Sequence, residues 1–488
     1  MTRAPERLFS FQSLDLKEGK DSINISSIPY VIRHHSAREY FELYYMYSLL
    51  LVIVPMLILC SCAEQEAGST PQSDKAILSE GEGSNSTSLP KAEATAPPDE
   101  RVGSAPSDKP YRQPFPPLLM GNISGGRNDS ADSGTLNRES LPLVNVANDA
   151  PTPKRLPPLT YHRGVNHAHV HRRGNGYGSE ASAREHDWLR SIGGNAIAIT
   201  PFGFQQGAKS AELVGFGPDD IPGTRDRSMK LEDMAAEVDS AHKRGLRVML
   251  KPHIWSNDFW NGSEWHGSVD QKSAADHKTW WASYRKMILY YAEFAESAGI
   301  DSYCLGTELL QMTTKYPNEW RTLIADVRNV YKGQLTYAAH WDREWREITF
   351  WDALDYIGIG AYFPLKVSDS ASINTLVEEW QPYRKKIDSI AQKFNRPVLF
   401  LEIGYRAVAG TWREPWLYTG GAESPDAQGK AFEALLQAFQ NDKWFKGMYV
   451  WKTFTDPNAA RREGEQTDFQ FKGLSGEVVL KKWWRGGT

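Results

Sequence analysis

After Pro158 the apolar residues recur in two alternating textures. Short, dense runs predict strands at 161–167, 195–201, 246–253, 302–308, 335–340, 356–362, 398–403 and 447–451. Between them the apolar positions take helical spacing and predict helices over 179–192, 231–244, 275–298, 319–330, 372–394 and 425–441. The fifth connection, 343–354, is short and only partly helical. Several helical stretches run into a glycine, at Gly193, Gly245, Gly299 and Gly333, as a C-terminal stop does. Strands alternating with helices in this way predict an α/β chain whose parallel sheet closes as a (β/α)8 TIM barrel. The competing arrangement is an open doubly wound sheet. It would carry a glycine-rich phosphate loop after its first strand, and none follows 161–167.

Before Pro158 the texture is different. Residues 63–157 are dominated by Ser, Gly, Pro, Asp, Glu and Asn, with runs such as Glu80-Gly81-Glu82-Gly83-Ser84 that cannot bury a core. This stretch reads as a disordered tether. Upstream lies the apolar run Leu49-Leu50-Leu51-Val52-Ile53-Val54-Pro55-Met56-Leu57-Ile58-Leu59, with Arg33 and Arg38 before it. The run is short for a membrane span and fits a signal-peptide core. It ends in Leu59-Cys60-Ser61-Cys62, which resembles a lipobox. Cys62 follows a small residue and is the expected lipidation site; Cys60 follows bulky Leu59. The organisation expected is therefore a lipoprotein-type signal at 1–62, a tether at 63–157 and a catalytic domain at 158–488. A plain transmembrane anchor is the alternative. The expected location is the bacterial cell envelope, with a lipid anchor in the membrane and the domain facing the periplasm or the exterior.

Composition narrows the partners. The net charge of −4 carries no basic surplus, which argues against nucleic acid. Three cysteines, two of them in the lipobox, exclude a disulfide framework. The 17 tryptophans exceed what packing alone asks for and point to stacking surfaces.

In a barrel of this type chemistry sits at the C-terminal ends of the strands. Two glutamates end apolar runs there, in Tyr303-Cys304-Leu305-Gly306-Thr307-Glu308 and Val398-Leu399-Phe400-Leu401-Glu402. A carboxylate is costly in such a place unless something uses it. Paired carboxylates are what glycoside hydrolysis needs: one protonates the leaving oxygen, the other attacks or activates water. Strand alternation puts Cys304, Gly306 and Glu308 on one face, and Val398, Phe400 and Glu402 on one face. The bland readings are a helix-capping acid for Glu308 and an ion pair with Arg406 for Glu402. The other strand ends add Asn166, Phe202, His253, Trp255, His340, Trp341, Tyr362 and Trp451 as candidate substrate-binding residues. Aromatic rings can cover the apolar faces of a sugar while polar groups read its hydroxyls. Tyr362 is placed to hydrogen-bond a nucleophile, and Trp451 to lie beneath the sugar. His162, His167, His169 and His171 have no interleaved carboxylate and make a poor zinc set. No metal is expected, and the two-carboxylate mechanism calls for no cofactor.

With these residues placed, the region from about residue 160 to 485 resembles glycoside hydrolase family 113, a β-mannanase family in a clan of retaining (β/α)8 enzymes. The stretches carrying the resemblance include Asn175-Gly176-Tyr177-Gly178-Ser179, Val248-Met249-Leu250-Lys251-Pro252-His253, Gly306-Thr307-Glu308-Leu309, Gly360-Ala361-Tyr362-Phe363-Pro364 and Leu401-Glu402-Ile403-Gly404-Tyr405. The resemblance implies that Glu308 is the acid/base and Glu402 the nucleophile. Many relatives in the wider clan carry Asn just before the acid. Here that position is Thr307, so contact to the sugar 2-hydroxyl must come from elsewhere.

The expected function is therefore retaining hydrolysis of a β-1,4-mannan-type polysaccharide or oligosaccharide, with endo action. The alternatives are the same mechanism on another β-glycan, or a carbohydrate-binding lipoprotein without activity. If Cys62 carries the anchor, the full chain will sediment with membranes, and Cys62→Ser will release it or block its maturation. Unchanged fractionation and an unchanged lipid-dependent mass in Cys62→Ser would refute the anchor.

Overall fold

The computed structural model describes residues 155–170, 174–216, 229–460 and 469–486. Cys62 and the stretches expected to form the signal and the tether, up to residue 154, lie outside them. The chain is already tied to the barrel at Arg155, whose guanidinium donates to Ile300 O at 2.8 Å.

Ten strands are present among the described residues. They are β1 (His162–Ala168), β2 (Ala196–Ile199), β3 (Phe202–Gln205), β4 (Arg247–Leu250), β5 (His253–Ser256), β6 (Ser302–Thr307), β7 (Gln334–Ala339), β8 (Ile357–Gly360), β9 (Val398–Ile403) and β10 (Phe445–Phe454). Eight of them close a barrel in the order β1-β10-β9-β8-β7-β6-β4-β2, all pairs parallel. Among the helices are α1 (Glu180–Ser191), α2 (Leu231–Lys243), α3 (Ala274–Ser297), α4 (Leu310–Lys315), α5 (Pro317–Val330), α6 (Glu344–Glu347), α7 (Ile373–Phe394), α8 (Ala427–Phe439) and α9 (Ser475–Gly486). The expected (β/α)8 barrel is thus the fold. The fifth connection holds only α6 and a further short turn, as its sequence suggested. The last helix, α9, went unread in the sequence, although Leu480 and Trp484 pack it into the core. Gly193, Gly245 and Gly299 take the left-handed conformation expected of helix stops.

Three predicted strands prove to be markedly shorter: 356–362 is reduced to Ile357–Gly360, and two others are cut at a proline. Pro201 and Pro252 lack an N–H and interrupt the ladder, so 195–201 and 246–253 stop at Ile199 and Leu250. The chain then resumes as β3 and β5, a separate parallel pair in which Phe202 lies opposite His253 and Phe204 opposite Trp255.

The barrel sorts side chains into two layers. Ala196, Ala198, Met249, Cys304, Ala338, Leu399, Leu401 and Tyr449 pack together in its interior. Their neighbours in sequence, such as Ile197, Val248, Leu305, Tyr337, Val398 and Phe400, join the larger core shared with the helices. Small interior residues leave room near the axis. The side-chain amide of Asn166 donates there to Leu401 O and Tyr449 O, at 3.0 and 3.2 Å.

The regular alternation fails at three strand ends. On β6 the register slips between Cys304 and Thr307. On β9 the residue opposite Ile359 is Phe400, but the one opposite Gly360 is Glu402. On β10, Val450 faces Val165 but Thr453 faces His167. An extra residue in one strand re-aims the side chains beyond it. The expectation from strict alternation is therefore corrected. A Cβ on Gly306 would meet Tyr284 and Tyr337 in the helix layer, so Gly306 does not share a face with interior Cys304. Val398 and Phe400 likewise face the helices, and only the slip at Leu401 turns Glu402 toward the axis.

One buried polar node ties β1 to α1 and α2. Glu237, fully buried, accepts from Ser182 Oγ at 2.6 Å and His186 Nε2 at 2.8 Å, and His167 Nε2 lies 3.3 Å away. Its second oxygen accepts from Gly178 N at 2.8 Å. Burial alone would raise this carboxyl. The hydrogen bonds from His167 and His186 more than offset that and hold it well below its ordinary value. Its contribution to stability is then present above the unfolded value of 4.5 and is lost as pH falls further. Glu237→Gln should cost about 1–3 kcal/mol at neutral pH. Denaturant titrations from pH 7 down to pH 4 should show the variant losing less stability on acidification than the parent.

Candidate active site

Lys251 continues the apolar run of β4 and is fully buried. By position it shares the inward face of Met249. Its ammonium lies 2.5 Å from Glu402 Oε1 and 3.5 Å from Leu401 O. This is a closed ion pair at the C-terminal end of the barrel. A buried carboxylate stripped of such a partner would be strongly unfavourable.

His253 stands on the other side of the same oxygen, with Nε2 at 3.8 Å. Burial first, then the charges of Lys251 and His266, hold its imidazole well below its usual range, so the ring is neutral. Nε2 has no hydrogen-bond partner within the protein. Thr307 Oγ1 and Asn166 Oδ1 are buried and without a protein partner as well. Buried polar atoms are seldom left this way.

Glu308 follows β6 and has φ +55°, the left-handed region. It does not cap the helix that follows; α4 begins at Leu310, and its N-cap position, Leu309, carries no side-chain cap. Its Oε1 lies 2.9 Å from where a Cβ on Gly360 would stand. Gly360 is the strand partner of Glu402. The absence of a side chain at Gly360 therefore lets the Glu308 carboxyl lie over the strand that pairs with the other acid. Desolvation, then the charges of Glu402 and Glu344, hold Glu308 well above the ordinary carboxylate range, with Lys251 opposing. The two acids are thus made unlike by their surroundings. Glu402 is ion-paired with Lys251, while burial holds the Glu308 carboxyl up.

Aromatic rings line both sides. The Trp451 ring stacks near His253 at 6.3 Å and 27°, and the Lys251 ammonium lies 5.6 Å from its centroid. Its Nε1 donates to Tyr418 Oη at 2.9 Å. Tyr362, Trp451 and Phe469 form one small cluster, with Trp341, Trp416 and Tyr418 packed on it. Trp341 and Trp416 stack at 4.8 Å and 12°. His340 lies between Trp341 and Trp265, at 5.2 and 4.7 Å. On the opposite side Phe202 touches His253 and Trp255, at 5.5 and 6.4 Å.

The sequence profile of Glycoside Hydrolase Family 113 matches residues 165–473. The chain belongs to this family. It is a glycosidase, and its substrate is a polysaccharide or oligosaccharide. A family 113 β-mannanase from Alicyclobacillus acidocaldarius, solved with ManMIm, is 25% identical with a TM-score of 0.58, over 67% of this chain and 98% of its own. A β-1,4-mannanase of the same family, solved as a complex, is 22% identical with a TM-score of 0.57, over 67% of this chain and 99% of its own. No curated protein matches.

The predicted substrate-binding residues are therefore brought together in this glycosidase, but in unequal ways. His253 and Trp451 adjoin Glu402 directly or through Lys251. Phe202 and Trp255 stand on the accessory pair β3–β5, and His340 and Trp341 on the far side. Asn166 lies within the barrel. Trp451 is only 2% exposed, covered by the Tyr418 loop and its cluster. Lys251, Glu344, Trp265, Trp416 and Tyr418 went unread in the sequence. Lys251 carried the same signal as the glutamates, a charge closing an apolar run. Among the described residues, one group has metal-ligand spacing: His167, His186 and Glu237. Their polar atoms are spent on one another, on Ser182, on Thr453 and on Ser240. The node is a hydrogen-bonded staple in the helix layer, apart from Glu308 and Glu402. His162 is bonded to Tyr449, and His169 to Tyr177 N.

Lys251→Met keeps the bulk and removes the charge. It should lower turnover by about a hundredfold or more on every substrate, whatever the leaving group. Steady-state kinetics on a good and a poor leaving group, alongside melting curves, check this.

Proposed function

We propose that this family 113 glycosidase is a retaining, endo-acting β-mannanase, with Glu402 as nucleophile and Glu308 as acid/base. The observation that carries the reading is the contrast at one mouth between Glu402, ion-paired with Lys251, and Glu308, which makes no such pair and whose carboxyl is pushed up by burial. In the first step a Glu402 oxygen forms a bond to the anomeric carbon. The glycosidic C–O bond breaks, and its oxygen takes the Glu308 proton. In the second step Glu308, now a carboxylate, takes a proton from water. The water oxygen attacks the anomeric carbon and Glu402 leaves. The mannan assignment rests on the solved family members, both described as mannanases. Endo action rests on the number of aromatic rings near the acids, with Trp341 and Trp416 packed on the Trp451 cluster and Phe202 against His253, as stacking surfaces for more than one sugar unit.

Glu402→Ala should lose nearly all turnover. Glu308→Ala should keep more activity on substrates with good leaving groups, which need less protonation. Equal and mild effects of both changes would refute the roles. Sizing the early products from mannan tests the rest: mixed oligosaccharides support endo action, and monosaccharide alone contradicts it.

A further inference from the structure

A third carboxylate, Glu344, lies fully buried behind Glu308. It opens α6, the short helix after β7. Three donors converge on it. Thr313 Oγ1 and Tyr337 Oη reach Oε1, each at 2.7 Å, and His340 N reaches Oε2 at 2.7 Å. The Tyr337 hydroxyl that donates to Glu344 also accepts from Leu309 N, at 2.6 Å. Leu309 is the residue after Glu308, and Thr313 lies one turn further along α4. On the other flank Glu308 N donates to Ala338 O at 2.8 Å.

These contacts surround a strained residue. A non-glycine side chain in the left-handed region persists only where its surroundings over-determine it. Here the backbone is held on both sides of Glu308 by β7 and its end, and the chain of bonds on the far side terminates on Glu344. Nothing in the two-carboxylate mechanism itself requires a third acid at this place.

We propose that Glu344 is a positioning residue for the general acid: through Tyr337 and Thr313 it clamps the turn that carries Glu308 and so fixes where the proton is delivered. The inference rests on the assignment of Glu308 as the acid. A second consequence follows from charge. The charged groups facing Glu308 are Glu402 on β9, Glu344 on α6 and Lys251 beyond β4. The negative charge of Glu344 favours the protonated form of Glu308. Burial raises the Glu344 carboxyl itself to about 7, with the three donors opposing.

The experiment compares Glu344→Gln, Tyr337→Phe and Glu308→Ala with the parent enzyme on an unactivated mannooligosaccharide and on an activated aryl mannooligosaccharide. Melting curves accompany each. Glu344→Gln should lose about tenfold or more on the unactivated substrate and much less on the activated one. Its alkaline limb of kcat/KM should move to lower pH, because one of the two negative charges that add to burial in raising Glu308 is gone. Tyr337→Phe removes the link while leaving the carboxylate, and should reproduce the leaving-group dependence. It decides the matter if Glu344→Gln does not fold. Folded variants that match the parent on both substrates, or that fall equally on both, overturn the positioning role. If Glu308→Ala itself shows no leaving-group dependence, the assignment of the acid fails first, which is a different result.

Discussion

The mouth of this barrel is organised around one buried ion pair, Lys251 with Glu402. Neither charge could be placed there alone without a penalty of several kcal/mol. Together they fix each other, and their placement propagates. Lys251 lies against the face of Trp451, and His253 is kept neutral partly because the ammonium is beside it. Glu308 is raised first by burial and then by the charge of Glu402, with Lys251 opposing. Two side chains of the same kind are thus set apart by their surroundings.

That pair exists only because the strands are irregular where it forms. On β9 the slip at Leu401 turns Glu402 inward, although Val398 and Phe400 before it face the helices. On β6 a slip precedes Glu308 and sets it in a left-handed turn. On β10 a slip brackets Trp451. A perfectly regular barrel built from these residues would direct Glu402 into the helix layer. Bulges at strand ends are a common means of re-aiming side chains at active sites. The cost of each is borne by the surrounding hydrogen bonds, among them those of Tyr337 and Glu344.

Much of this was legible in the sequence, for reasons that differ by residue. The barrel could be read because buried parallel strands are dense apolar runs and the helices between them are long and amphipathic. Glu308 and Glu402 stood out because a carboxylate closing such a run needs a reason. Lys251 carries the same signal, a charge closing an apolar run, two residues before His253. The orientation of both acids was inferred from strict alternation, and a one-residue slip is invisible to that pattern. Glu344 carries no signal at all: an acid opening a short connection looks like any solvated loop residue until three donors are found around it. The helix α9 was missed because its amphipathic run follows the last strand, beyond the point where alternation still guides the eye.

The most direct test is to trap the covalent intermediate. A fluorinated mannooligosaccharide with a good leaving group would be incubated with the enzyme, and the labelled peptide identified by mass spectrometry. Label on Glu402, with retained anomeric configuration in the products of the natural substrate, is the predicted result. Label on Glu308, or inverted products with no label at all, would contradict it.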